Sequence, residues 1–233
     1  VPGWASGQDR TVSATVNHDD SLGLRLMAGG FGIGSTLFAV GAVMSVVGWQ
    51  VANPTFAVGA VFFTAAATVQ WRTAIRHDPD NHRVWKVATQ DFRNPDWLAA
   101  VIQLLGTLYL NVMTIRALSI TLANPVEFNS EVWKPDIYGS AAFLISSAIA
   151  AHPVARLRRH RLIYGRSRVI AWCNIAGSFF FAVSAVGNQL IAPDTMKSAV
   201  WTNLGTFVGA LMFLLAAVLL WPPRQHGPSA SAT

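Results

Sequence analysis

The sequence predicts an all-α, polytopic integral membrane protein of six transmembrane helices with both ends in the cytoplasm. Three observations lead to it. Hydrophobic residues make up 52% of the 233 and charged residues only 12%, about half the roughly 25% usual in soluble domains. The charges are gathered between long apolar runs, whereas a soluble chain scatters them over its surface. Finally, 14 of the 17 Lys and Arg residues lie in the N-terminal segment, the 72–96 and 152–168 connections and the C-terminal segment. The positive-inside rule assigns that side to the cytoplasm.

A helix crossing about 30 Å of hydrocarbon needs about 20 mostly apolar residues. Six stretches meet or approach that length: 26–48, 55–71, 97–120, 136–151, 169–190 and 200–221. The first follows a polar segment (Gln8, Asp9, Arg10, Asn17, His18, Asp19, Asp20) without the layout of a signal peptide. Because the chain opens on Val1, a trimmed chain or an alternative start codon is expected. The second and fourth stretches are short, but Asn53-Pro54 and Lys134-Pro135 supply sharp helix starts. Runs such as 56–65 lack the alternation of a membrane barrel strand. Tryptophan marks the same boundaries: Trp49, Trp71, Trp97, Trp133, Trp172, Trp201 and Trp221 fall at or near span ends, where an indole buries its ring and keeps its N–H wet. The expected organisation is a flexible cytoplasmic tail over 1–24, a membrane domain over 25–221 and a second tail over 222–233.

The spans read as three tandem two-helix hairpins, 26–71, 97–151 and 169–221. First helices share a Gly followed by Ser or Thr, at Gly34-Ser35, Gly106-Thr107 and Gly177-Ser178. Second helices share Gly, a Phe four residues on and two small residues: Gly59/Phe63/Ala66/Ala67, Gly139/Phe143/Ser146/Ser147 and Gly209/Phe213/Ala216/Ala217. Spacings of four and three place these on one helix face, where small residues let backbones approach in a membrane. An even number of spans per unit makes the repeat parallel, and a pseudo-threefold ring is one arrangement it predicts.

The stretch Tyr138-Gly-Ser-Ala-Ala-Phe-Leu-Ile-Ser-Ser, continuing through His152-Pro-Val-Ala-Arg-Leu-Arg-Arg-His160, resembles the second half of the YrhK-like two-helix membrane domain family. Cys173-Asn-Ile-Ala-Gly-Ser-Phe-Phe-Phe resembles its first half. The likeness covers two of the three hairpins. It implies a two-helix membrane fold and no mechanism, the family having no assigned activity.

Arg116 is the one charge well inside a predicted span. An Arg near the bilayer centre costs about 2.5–3.5 kcal/mol on insertion scales. Two readings are open for it: pairing with Glu127, Glu131 or Asp136 or reaching the outer headgroups, and contact with an anion or substrate at a vestibule. Gln103, Thr107, Asn111 and Thr114 recur every three or four residues on the third span, so they form a stripe that must face protein. With Asn174 on the fifth span it predicts either interhelical hydrogen bonds or the lining of a solute path. The cluster holding Arg156, Arg158, Arg159 and Arg161 is expected at the cytoplasmic face, against anionic lipids or a partner protein.

No reader motif or interleaved aromatics accompany those charges, so nucleic acid is not an expected partner. A single cysteine, Cys173, excludes a disulfide framework. All six histidines lie outside the predicted spans, no Asp or Glu lies well inside one, and His77-Asp-Pro-Asp-Asn-His82 reads as a turn. Neither a cofactor nor a metal is expected. Gly-rich phosphate loops, nucleophile elbows and HExxH are missing. The expectation is therefore a non-enzymatic protein of the cell membrane, as in a bacterial inner membrane, acting by helix–helix association as scaffold, sensor or subunit. Its partners would be lipid and either another copy or a partner protein. The alternative is an anion or small-solute channel or transporter built on the third span and Arg116.

Overall fold

The computed structural model describes residues 8–76, 94–156 and 161–222, with side chains over 21–75, 94–152 and 165–222. Among these, α1 (Gln8–Val47), α2 (Ala52–Arg76), α3 (Pro95–Arg116), α5 (Lys134–Arg156), α6 (Arg161–Gly187) and α7 (Ala199–Leu220) are long helices. Between α3 and α5 lie a short helix, α4 (Pro125–Phe128), and a π-helical turn, Asn129–Trp133. Strands β1 (Leu190–Ala192) and β2 (Thr195–Met196) form an antiparallel hairpin between α6 and α7.

Each long helix packs on the next, and α7 packs back on α1, so the six close a ring in the order α1, α2, α3, α5, α6, α7. What lets them close is the set of glycines that the sequence aligned. The Cβ that Gly34 lacks would sit 3.0 Å from the Gly59 carbonyl and 2.9 Å from the Phe63 ring. Gly177 stands in the same way to the Gly209 carbonyl and to Phe213, both at 3.1 Å, and Gly106 stands 3.0 Å from Phe143. With no hydrophobic exclusion between helices in lipid, such close approach is what holds membrane helices together. The rings so admitted meet at the centre of the bundle. Phe63, Phe143 and Phe213 have centroids 6.5, 6.2 and 6.1 Å apart, close to an equilateral triangle. Phe38, Leu110 and Phe181 complete the buried layer.

The outer surface is apolar. Val40, Val43, Val61, Leu108, Val112, Leu211 and Leu215 are all exposed, a distribution that water does not tolerate over so wide a face and lipid requires. Five helices are long and apolar enough to cross a membrane: Ser21–Val47, Ala52–Ile75, Pro95–Arg116, Gly165–Gly187 and Ala199–Leu220. The chain is a membrane protein. The fourth predicted span, α5, is not among the five, and its burial pattern explains why. Its inner face carries Ser140, Ser146 and Ser147, all buried, where α2 and α7 have alanine. Each is satisfied by a neighbouring helix: Ser140 reaches the Phe181 carbonyl at 3.4 Å, Ser146 the Ala99 carbonyl at 2.8 Å, and Ser147 the Ser178 hydroxyl at 2.9 Å. Its outward residues include Tyr138 and Ile145, both exposed.

Three boundaries depart from the sequence prediction. First, α1 begins at Gln8, so the polar segment expected as a flexible tail is helical from that point. At its other end Gly48 adopts φ +81 and Trp49 N–H returns to the Met44 carbonyl at 2.9 Å, the 6→1 bond of a Schellman stop. Second, Lys134-Pro135 does not start the fourth long helix. Backbone dihedrals stay helical from Phe128 through Lys134, so α4, the π turn and α5 run on as one helix from Pro125. The true start is Asn124, whose side chain accepts from Glu127 N–H while its amide donates to the Glu127 carboxylate, a reciprocal N-cap with Pro at N1. Pro135 lacks an N–H to donate, and the π turn just before it absorbs the misfit, as such bulges do. Third, α6 begins at Arg161, ahead of the predicted 169, and His152 falls inside α5.

Candidate functional site

At one end of the ring, the α4–π segment and the β1–β2 hairpin form a cap. Asn129 holds the two together: its amide donates to the Leu190 carbonyl at 2.8 Å, and its oxygen accepts Leu190 N–H at 3.0 Å. Asp194 tolerates φ +54 at the hairpin tip and donates its N–H to the Leu122 carbonyl at 2.9 Å. Trp133 Nε1 donates to the Ala185 carbonyl at 3.0 Å, fixing the π turn to α6. Phe128, Val132 and Leu190 form a small buried core beneath this cap.

Beside the cap opens a cavity of about 410 Å³ that runs between the helix ends toward the middle of the bundle. Its floor is Phe38, Leu110 and Phe181, part of the central aromatic layer. Among the described residues no lining residue lies beyond that layer, so there the cavity ends blind. Two of the three floor positions carry Phe and the third, on α3, carries the slimmer Leu110, which leaves room on that side.

Polar groups are distributed along its wall. Thr114 reaches in from α3, Asp136 from α5, Ser184 from α6, and Thr202 and Thr206 from α7, with Asn188 just past the end of α6. Asp136 is 8% exposed. Its Oδ2 accepts from Asn188 Nδ2 at 3.0 Å. Ser184 Oγ donates to the Thr202 carbonyl at 2.7 Å and lies 2.7 Å from Thr206 Oγ1. The mouth is lined by Trp49, Gln50, Asn53 and Asn203, and Asn53 Nδ2 ties α2 to the end of α3 through the Ala117 carbonyl at 3.0 Å.

This geometry sorts the residues singled out in the sequence. Of the stripe on α3, only Thr114 borders the cavity. Thr107 Oγ1 donates to the Leu104 carbonyl at 2.8 Å, and Asn111 donates to Thr64 of α2 and to the Thr107 carbonyl. These two lie in a packed seam between α2 and α3. Gln103 is half-buried and Asn174 meets Ser147 through its backbone carbonyl; neither borders the cavity. Gly59, Phe63, Gly139, Phe143, Gly209 and Phe213 are all buried at helix contacts.

Arg116 is the last residue of α3 and pairs with Glu131 at 2.7 Å, both side chains nearly half exposed at 46% and 43%. It does not line the cavity, and of its two readings the pairing with Glu131 is the contact present. An exposed pair of this kind contributes about 0–1 kcal/mol. Arg116→Gln is therefore expected to leave the unfolding midpoint of the detergent-solubilised protein essentially where it is. A drop comparable to loss of a core side chain would show that the pair is held more tightly than its exposure implies.

Arg158 and Arg159 lie outside the described residues, as do the side chains of Arg156 and Arg161, and so does the 77–82 turn. Arg166, from the same basic cluster, caps the end of α7 by donating to the Leu219 and Trp221 carbonyls, which satisfies orphan acceptors at a helix C-terminus.

Asp136 is the residue that sequence reasoning misplaced. The sequence places it at the very start of a predicted span. The helix in fact starts at Pro125, so Asp136 sits about three turns into it. The signal was present in Asn124-Pro-Val-Glu127, an N-cap with Pro at N1 and a capping Glu. Ser184/Asn188 and Thr202/Thr206 are i, i+4 pairs that also read as one-face polar pairs.

No family model matches the chain, and neither a curated protein nor a solved structure matches it.

Proposed function

We propose that this protein is a non-enzymatic solute-binding sensor or binding subunit of the cell membrane, six-spanning with both ends cytoplasmic. The blind cavity carries this reading. A conduit needs continuity to the far side, whereas here a wall of polar groups ends on closely packed aromatic rings. A concave, partly apolar site with a few convergent polar groups is the form of a ligand pocket.

The positive-inside distribution of Lys and Arg supports a cavity opening outward, away from the cytoplasm. The sixth span in this reading is α5, whose polar residues face its neighbours. The recurring glycine–phenylalanine contacts support three tandem two-helix units of the YrhK-like kind. Helix faces and the basic cytoplasmic rim, with anionic lipid around it, are the surfaces through which another copy or a partner protein would read occupancy.

Cysteine accessibility tests this. In a Cys173→Ser background, Asn203→Cys at the mouth is expected to react with a membrane-impermeant maleimide added outside intact cells. Ala67→Cys, below the aromatic layer, is expected to stay unlabelled from either side. Labelling of Asn203→Cys only in inverted vesicles would overturn the orientation. Labelling of Ala67→Cys would reveal a continuous path and return the protein to the channel class.

A further inference from the structure

We infer that the cavity binds a small organic cation, an ammonium group on an apolar body, with Asp136 as its counter-ion. This rests on the reading of the cavity as a binding site and names the chemistry of its occupant.

Charge is the first argument. Among the described residues that line the cavity Asp136 is the one carboxyl group, and none is Lys, Arg or His. A carboxylate withdrawn from water is costly unless it is paired and hydrogen-bonded. Asn188 supplies a hydrogen bond to it, but no positive charge. An ammonium entering from the mouth would.

Hydrogen-bond polarity is the second. A hydroxyl has one proton and two lone pairs. Most wall hydroxyls direct their protons at backbone carbonyls: Thr114 at Leu110 (2.9 Å), Ser184 at Thr202 (2.7 Å) and Thr202 at Ser198 (2.9 Å), while Thr206 has both the Ser184 oxygen (2.7 Å) and the Thr202 carbonyl (2.9 Å) within reach of its one proton. Lone pairs are what they have left to offer. These hydroxyls can therefore accept from an N⁺–H donor, and the amides of Asn53, Asn188 and Asn203 are each already engaged once, with Ala117, Asp136 and Ala199.

The remaining surface argues for an organic body over a bare metal ion. Phe38, Phe56, Phe181 and Trp49 line the space, giving apolar contact and π faces of the kind that attract cations. A divalent metal would need several oxygen ligands at close range, and no group of three or more His, Cys, Asp or Glu is gathered among the described residues. The volume of about 410 Å³ lies within the roughly 300–1,000 Å³ of small-molecule sites. One carboxylate with aromatic walls matches a monocation with a hydrophobic tail.

Phenethylammonium is a suitable probe, with 2-phenylethanol and phenylacetate as neutral and anionic counterparts of similar size. Binding would be measured on the full chain in nanodiscs, by calorimetry and by protection of Asn203→Cys from maleimide. Phenethylammonium is expected to bind saturably and to protect the cysteine, and phenylacetate to do neither. Asp136→Asn keeps the shape and removes the charge; it is expected to weaken the cation at least about tenfold while leaving 2-phenylethanol unchanged. An Asp136→Asn protein that is folded and binds phenethylammonium as well as the parent overturns the inference.

Should Asp136→Asn not fold, Trp49→Leu at the exposed mouth decides, with an expected two- to fivefold loss for the cation and less for the alcohol. Equal loss for both overturns the inference. If the alcohol or the carboxylate protects the cysteine and the cation does not, the pocket stands and its proposed occupant is wrong. If none of the three protects it, the binding reading itself fails.

Discussion

Phe143→Ala is expected to cost about 3–5 kcal/mol of stability, the range for emptying a fully buried phenylalanine site. Phe143 is 1% exposed and stands at the middle of the aromatic layer, with ring centroids of Phe63, Phe181 and Phe213 at 6.5, 6.4 and 6.2 Å. Tilted and edge-to-face pairs at such distances contribute about 0.5–1.5 kcal/mol each beyond the buried area. The surrounding glycines have closed the backbones down on these rings, so the helices have little slack with which to collapse on the void. Phe179→Ala is the matched control: Phe179 is 54% exposed, on the lipid-facing side of α6. Thermal or SDS-induced unfolding of the two variants side by side gives the comparison. Equal losses would mean that the central layer holds the bundle no more tightly than the lipid-facing surface does. The same deletion would also remove the ring packed against Phe181 beneath the floor of the cavity, so a solute leak across proteoliposomes carrying Phe143→Ala is an expected companion.

Gly205→Ala is the second large effect, and a single methyl produces it. The added Cβ would lie 2.6 Å from the Phe180 carbonyl oxygen and 2.8 Å from the Ser184 nitrogen, both backbone atoms of α6. A side chain can turn aside; a helix backbone can only move away. Overpacking costs about 1–3 kcal/mol, and here the upper part of that range is expected, because moving α6 from α7 also strains the Ser184–Thr202 and Ser184–Thr206 bonds at 2.7 Å. The same replacement at Gly165 meets nothing within 4 Å and replaces a poor helix former by the best one. It is therefore expected to stabilise by about 0.5–1 kcal/mol. Opposite signs for one chemical change would be read directly from the two unfolding midpoints. A loss at both positions would mean that helix propensity, and not the α6–α7 approach, governs these sites.

Helix existence was legible in the sequence because burial in lipid imposes a length and an apolarity that few other contexts demand. The alignment of Gly34, Gly106 and Gly177, and of Phe63, Phe143 and Phe213, was legible as well, since three- and four-residue spacing fixes a helix face. Helix ends were less so. Lys134-Pro135 gave a misleading start because a proline can sit inside a helix when a π turn precedes it. The reading of Arg116 went half right: pairing with Glu131 was one of its alternatives, but no spacing rule says whether a side chain at a helix end turns outward. Asn111 and Thr107 face protein, as their spacing requires, but spacing is silent on whether that protein surface is a seam or a wall.

By itself, then, the sequence determined that the chain lives in a membrane, where its long helices run, which residues face inward and which small residues permit close contact. Those properties follow from local periodicity and from the solvent, and both are written in consecutive residues. Only the tertiary structure decided that the six long helices close into a ring, that aromatic rings block its middle, and that Asp136, Asn188, Ser184 and Thr206 meet around one cavity. That meeting depends on how far each helix slides along its neighbour. Here the slide is set by backbone contacts at a few glycines and by a cap that binds α4 to a distant hairpin, distances that no single segment encodes.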